Sequence, residues 1–199
     1  MICKSGESKD IADFLHCLSF LERKTAILYK KLSEKTTSLN FSDSFLKISQ
    51  NAIKHSKELD EIATYFSGSK ISKGECAKRL ENICRSIDKL IKKLEKKNLL
   101  FFEELSDIIF VLESSLGQES FLLIQLKTLI ALAPQIDQLY GVHLENFTNL
   151  LYSINEDEEE RIELLKHIKE VIDKKTSKKE GNAPNVKYKN PDSWIISAP

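Results

Sequence analysis

INEDEEERIELLKHI, residues 154–168, sets seven ionisable side chains ahead of Leu164 in a segment that otherwise reads as an amphipathic helix. The apolar series 151, 154, 165, 168 keeps helical spacing, and extending it through the acidic run lands on Glu158 and Arg161. Those two side chains are therefore expected to point into a core. Glu156, Asp157, Glu159 and Glu160 fall off the series and are expected to face water. The same test, applied to the rest of the chain, decides both the fold and the candidate site.

Apolar stripes of period 3.6 run almost from end to end, and turn-flanked alternation is missing, so the chain reads as all-α. Five helical segments are predicted: about 8–35, 42–66 with Ser42 as its cap, 75–97, 99–133 ending before Pro134, and 143–175. TTSLNFS (36–42) and SGSKISKG (67–74) separate the first three, and Gly141 marks a break before the last. Beyond Lys175 the composition changes. Pro184, Pro191, Pro199 and several Asn residues predict an extended tail over 176–199, against a helical domain over 1–175. That tail carries the sole Trp, Trp194, beside Ile195 and Ile196, a cluster suited to docking on its own domain or on a second subunit.

Thirty basic residues balance thirty acidic ones, and the lysine runs are interleaved or flanked by acids. Such a surface gives no electrostatic reason to expect nucleic acid or an anionic membrane as partner. No apolar run reaches the twenty or so residues that span a bilayer, and MICKSGESKD lacks a signal-peptide core. A cytoplasmic protein is expected, with Cys3, Cys17, Cys76 and Cys84 as reduced structural thiols. Asn146-Phe147-Thr148 fits a glycosylation acceptor only by chance in that setting.

Four stripes are interrupted by ionisable groups. Glu22 interrupts 11, 15, 18, 26, 29; His55 interrupts 45, 48, 52, 59, 62; Glu119 interrupts 112, 116, 123, 126; Glu158 and Arg161 interrupt the last. Each stands about fourteen residues from its turn, so at about 1.5 Å per residue antiparallel neighbours bring all five to one level. Buried charges need partners, and a shared layer supplies them. Without metal, Arg161 would fork onto Glu119 and Glu158, and His55 would pair with Glu22.

LERKTAILYKKL (21–32), NAIKHSKEL (51–59), VLESSLGQESFLLIQL (111–126) and NEDEEERIELL (155–165) together resemble the ferritin-like superfamily, its rubrerythrin branch in particular. That resemblance implies an antiparallel four-helix bundle, with the third predicted helix as an addition in the crossover between core helices two and three. It also implies two irons, held by a Glu on each of two helices and Glu-x-x-His on the other two. Glu22, His55, Glu119 and Glu158 match ligand positions. Two positions depart from the pattern: Ala52 stands where a Glu belongs, and Arg161 where a His belongs. Arg161 is always charged and cannot ligate a metal. The absence of C-x-x-C pairs means no rubredoxin domain. The resemblance thus implies an altered di-iron site that holds one iron, manganese or zinc ion, or none. The corresponding functions are a non-catalytic structural or interaction protein, or a metal-dependent oxidoreductase acting on peroxide or oxygen. A homodimer is expected by the same analogy.

Overall fold

The computed structural model describes residues 7–67, 71–141 and 143–180; within them the side chains of 7–8, 113–123, 140 and 175–180 fall outside the described residues. The helices are α1 (Glu7–Lys35), α2 (Leu39–Phe66), α3 (Lys73–Arg79), α4 (Glu81–Glu95), α5 (Phe102–Ala131), α6 (Ala133–Tyr140) and α7 (Thr148–Glu180), with a 3₁₀ turn at Leu144–Phe147. No strand occurs among the described residues, and one isolated bridge joins Thr36 to Leu100. The protein is all-α, as its periodicity predicts. No described helix is long and apolar enough to cross a membrane.

Four long helices pack as two antiparallel pairs, α1 with α2 and α5 with α7. Inter-helix hydrogen bonds fix the register of the first pair: Ser49 Oγ donates to the Ala26 carbonyl at 2.8 Å and Ser19 Oγ to the Ser56 carbonyl at 2.7 Å. Lys127 meets Glu159 at 2.5 Å across the second pair. Lys47 meets Glu160 and His55 meets Asp157, which sets α7 antiparallel to α2. α5 starts beside the α1–α2 turn, where the Leu100 amide donates to the Lys35 carbonyl at 2.7 Å. It therefore runs parallel to α2, and the chain between them must travel back along the bundle. α3 and α4 make that return, lying against α1.

Several boundaries differ from the sequence reading. The crossover holds two helices where one was predicted over 75–97, because the chain turns at Leu80. Ser72 caps α3 by accepting from the Glu75 amide. Ser42 does not cap α2. The helix begins a turn earlier, after Ser38, and Ser42 Oγ instead donates to the Ser33 carbonyl. Pro134 opens α6, whose missing amide proton costs nothing in the first turn. Gly141 closes α6 in the left-handed conformation at φ 64°, so a glycine is favoured there. Asp137 then accepts from the Leu144 and Glu145 amides and pins the 3₁₀ turn. α7 starts at Thr148 and continues past Lys175 to Glu180. Trp194, Ile195 and Ile196 lie outside the described residues.

The thiols were expected to be reduced, and here the structure corrects the sequence reading. Cys17 on α1 and Cys76 on α3 form a disulfide, Cys84 is free and buried, and Cys3 lies outside the described residues. The pairing is created by the return of the crossover, which lays α3 against α1.

The buried core falls into two clusters. One gathers Leu28, Leu32, Phe45, Leu94, Leu105, Ile109 and Ile172 near the α1–α2 turn. The other gathers Leu15, Leu59, Ile62, Leu126, Leu151 and Ile154 toward the opposite end. Between them lies a layer of charge.

Candidate functional site

Glu22 from α1, His55 from α2, and Glu158 and Arg161 from α7 are all buried at the level that separates the two apolar clusters. The stripes place them there. A helix that buries positions one turn to either side of Glu22 or His55 must bury those positions too. Ligand atoms of Glu22, His55 and Glu158 lie within 4.8 Å of one another. Glu119 lies on α5, but its side chain is outside the described residues.

Arg161 is the hub. Its guanidinium contacts Glu158 one helical turn earlier and reaches Glu22 Oε2 at 3.8 Å. His55 has two carboxylate neighbours on α7: Nε2 is 2.8 Å from Asp157 Oδ2 and Nδ1 is 3.5 Å from Glu158 Oε1. The expected pairing of His55 with Glu22 is replaced by these two contacts. Asp157 is likewise a correction. It was expected in water, yet it is half-buried, holds His55 and lies 3.6 Å from Lys54 Nζ. Periodicity misses it because a side chain at the edge of a stripe can turn inward when a buried ring offers a hydrogen bond. Glu156, Glu159 and Glu160 are exposed as expected.

Burial pushes the His55 pKa down, but the Glu158 and Asp157 carboxylates, with the charge of Glu22, more than offset this and raise it above the ordinary 6.5. His55 and Arg161 thus face three carboxylates, Glu22, Asp157 and Glu158. The linkage follows. A folded pKa above the unfolded value contributes stability that is complete below about pH 6.5 and is lost as pH rises through the folded value. Urea midpoints measured from pH 5.5 to 8.5 on the wild type and on His55→Gln are expected to converge as pH rises through that window. A constant or widening gap would contradict the assignment.

A second buried network was not legible in the stripes. His16, 5% exposed, places Nδ1 2.8 Å from Asp60 Oδ1, and Asp13 lies 3.5 Å from Arg79. His55 is therefore not the only histidine in the interior. α1 packs against α2 on one side and the crossover on another, so residues 12–19 are buried around most of the helix. A single-stripe reading is too narrow for a helix with neighbours on two sides.

What the layer could hold depends on its donors. Two carboxylates and an imidazole suit iron, manganese or zinc. Asp157 at Nε2 would leave Nδ1 for the ion, the arrangement in which a carboxylate orients a ligating histidine. Against that, the guanidinium already occupies the face shared by both glutamates. A separate cleft between α2 and α7, lined by Asn51, Asp157, Glu158 and Arg161, measures about 10 Å³, about the space of one water. No family model, curated protein or solved structure matches the chain.

Proposed function

We propose that this chain is a ferritin-like bundle in which the Arg161 guanidinium has taken the charge-balancing role that metal ions have in that superfamily, leaving a non-catalytic structural or interaction protein. The observation that carries this reading is the contact of Arg161 with both Glu22 and Glu158. The course of the crossover, which sets α5 parallel to α2, supports the ferritin-like assignment. Replacement of two expected ligands by Ala52 and Arg161 argues against a dinuclear centre.

A second reading rests on the compactness of Glu22, His55 and Glu158. One divalent ion there, with Arg161 swung aside, would supply Lewis acidity or redox chemistry toward peroxide or oxygen. Metal analysis of protein purified without chelator, from cells supplied with iron, manganese and zinc, separates the two. Less than a tenth of an equivalent of any transition metal is expected. One equivalent, lost in His55→Ala, would overturn the guanidinium reading and establish the metal-dependent one.

A cytoplasmic location belongs to this proposal and sets a condition on the Cys17–Cys76 bridge. Reducing compartments disfavour disulfides, and this one is shielded, because both cysteines are buried.

A further inference from the structure

The outward side of the α1–α2 pair carries an elongated groove of about 790 Å³, whose floor includes the exposed Ile27 and Ile53. We propose that this groove seats the chain's own C-terminal segment, with Trp194 packed over Ile27 and Ile196 over Ile53.

Residues 181–199 lie outside the described residues, and their sequence singles them out as the occupant. Trp194, Ile195 and Ile196 form an apolar run in an otherwise largely polar segment. A packed tryptophan buries about 150–250 Å², and an open trough with an aliphatic floor offers that area. Reach agrees. α7 lies on the inward side of the pair, where Glu158 meets His55, and runs parallel to α1. Glu22 and Glu158 stand at one level, so Glu180 at the end of α7 lies about 26 Å along the bundle from Ile27. Passing round the α1–α2 turn to the outward side adds about 15 Å, a helix diameter and a half. The diagonal is about 30 Å, and the fourteen residues from Glu180 to Trp194 span about 46 Å when extended. Pro184 and Pro191 favour an extended course over that length.

Register and charge agree as well. Ala26 and Ser49 are level, joined by the Ser49 hydrogen bond. Ile53 then stands level with Glu22, and Ile27 and Ile53 are about 7.5 Å apart along the groove. An extended segment sets side chains i and i+2 on one side, about 7 Å apart. Trp194 and Ile196 match that spacing, and Ile195 is left at the mouth of the groove. A segment arriving from the α1–α2 turn meets Lys30 before Ile27. Asp192, on the same side as Trp194, therefore comes to Lys30, whose own partner Glu34 is 4.0 Å away with both side chains exposed.

The groove faces away from Glu22 and His55, so this seat and the reading of the central layer can fail separately. Trp194 is the sole tryptophan, and its fluorescence in the full chain is the test. The isolated peptide 181–199 supplies the reference for an unseated ring. The full chain is expected to emit to the blue of that peptide and to be quenched severalfold less by acrylamide. Both readings should persist on hundredfold dilution, because the contact is intramolecular. Ile53→Asp should bring both to the peptide's values with melting close to wild type, since that side chain is exposed. Phe110→Asp, on the exposed side of α5, should move neither. Lys30→Glu and Asp192→Lys should each increase quenching, and the two together should restore protection. Native emission equal to that of the peptide, a blue shift that survives Ile53→Asp or is lost in Phe110→Asp, or a charge swap no better than its single changes would each overturn the proposal. A blue shift lost on dilution would also overturn it, giving the groove to the tail of a second copy.

Discussion

Arg161→Ala is expected to destabilise the protein by about 3–5 kcal/mol, because it removes one partner of a buried charge cluster and leaves the carboxylates behind. Arg161 is 6% exposed, and the two glutamates it serves are almost equally buried. Water cannot take over its role without opening the layer between the two apolar clusters. Equilibrium urea unfolding measures the loss. A double-mutant cycle identifies its origin: Arg161→Ala combined with Glu158→Gln should cost less than the sum of the single changes, since the second substitution removes one of the stranded charges. Arg161→Lys should recover only part of the loss, because a single ammonium cannot address two carboxylates in the planar, forked geometry of a guanidinium. A loss below about 0.5 kcal/mol, the range of ordinary surface substitutions, would mean that the cluster does not organise the core, and the charge-replacement reading would fall with it.

That layer was largely legible in the sequence, for a definite physical reason. Helical periodicity assigns a direction to every side chain between two buried anchors. Leu151, Ile154, Leu165 and Ile168 therefore orient Glu158 and Arg161, and all six are buried. Counting residues from each turn then gave the common level. Periodicity says nothing about how neighbouring side chains divide their contacts once they meet. For that reason Asp157 was missed, and His55 turned to α7 and not to Glu22. His16 escaped notice for another reason: the stripe rule assumes one buried face, and α1 has neighbours on more than one side. The Cys17–Cys76 bridge depends on where the crossover runs, which no local pattern encodes. The division of 75–97 into α3 and α4 is of the same kind, since Leu80 breaks the helix without glycine or proline to signal it.

Loss of the disulfide is the other large effect, and it should be both global and local. The bridge joins residues 59 apart in sequence, and a closed loop of that size restricts the unfolded chain enough to contribute about 4 kcal/mol in the chain-entropy account. Cys17→Ser with Cys76→Ser is expected to lower stability by about that amount and the melting temperature by roughly 10 °C for a chain of this size. The local effect follows from the dimensions of α3. A helix of seven residues is too short to persist without tertiary support. Apart from the bridge, α3 is held to α1 through Arg79 and Asp13, and the guanidinium of that pair is half exposed. Amide exchange over 73–79 should therefore become fast in the double variant, while α1 and α2 keep their protection beside the core. With Cys76 replaced alone, Cys17 should react readily with thiol reagents once α3 lifts away, whereas Cys84, buried between α1 and α4, should stay slow. Were the double variant as stable as the wild type and α3 equally protected, the crossover would be held by packing alone. Two free thiols titrating at Cys17 and Cys76 in the native protein would remove the bridge altogether, and with it the entropic term on which the stability difference rests.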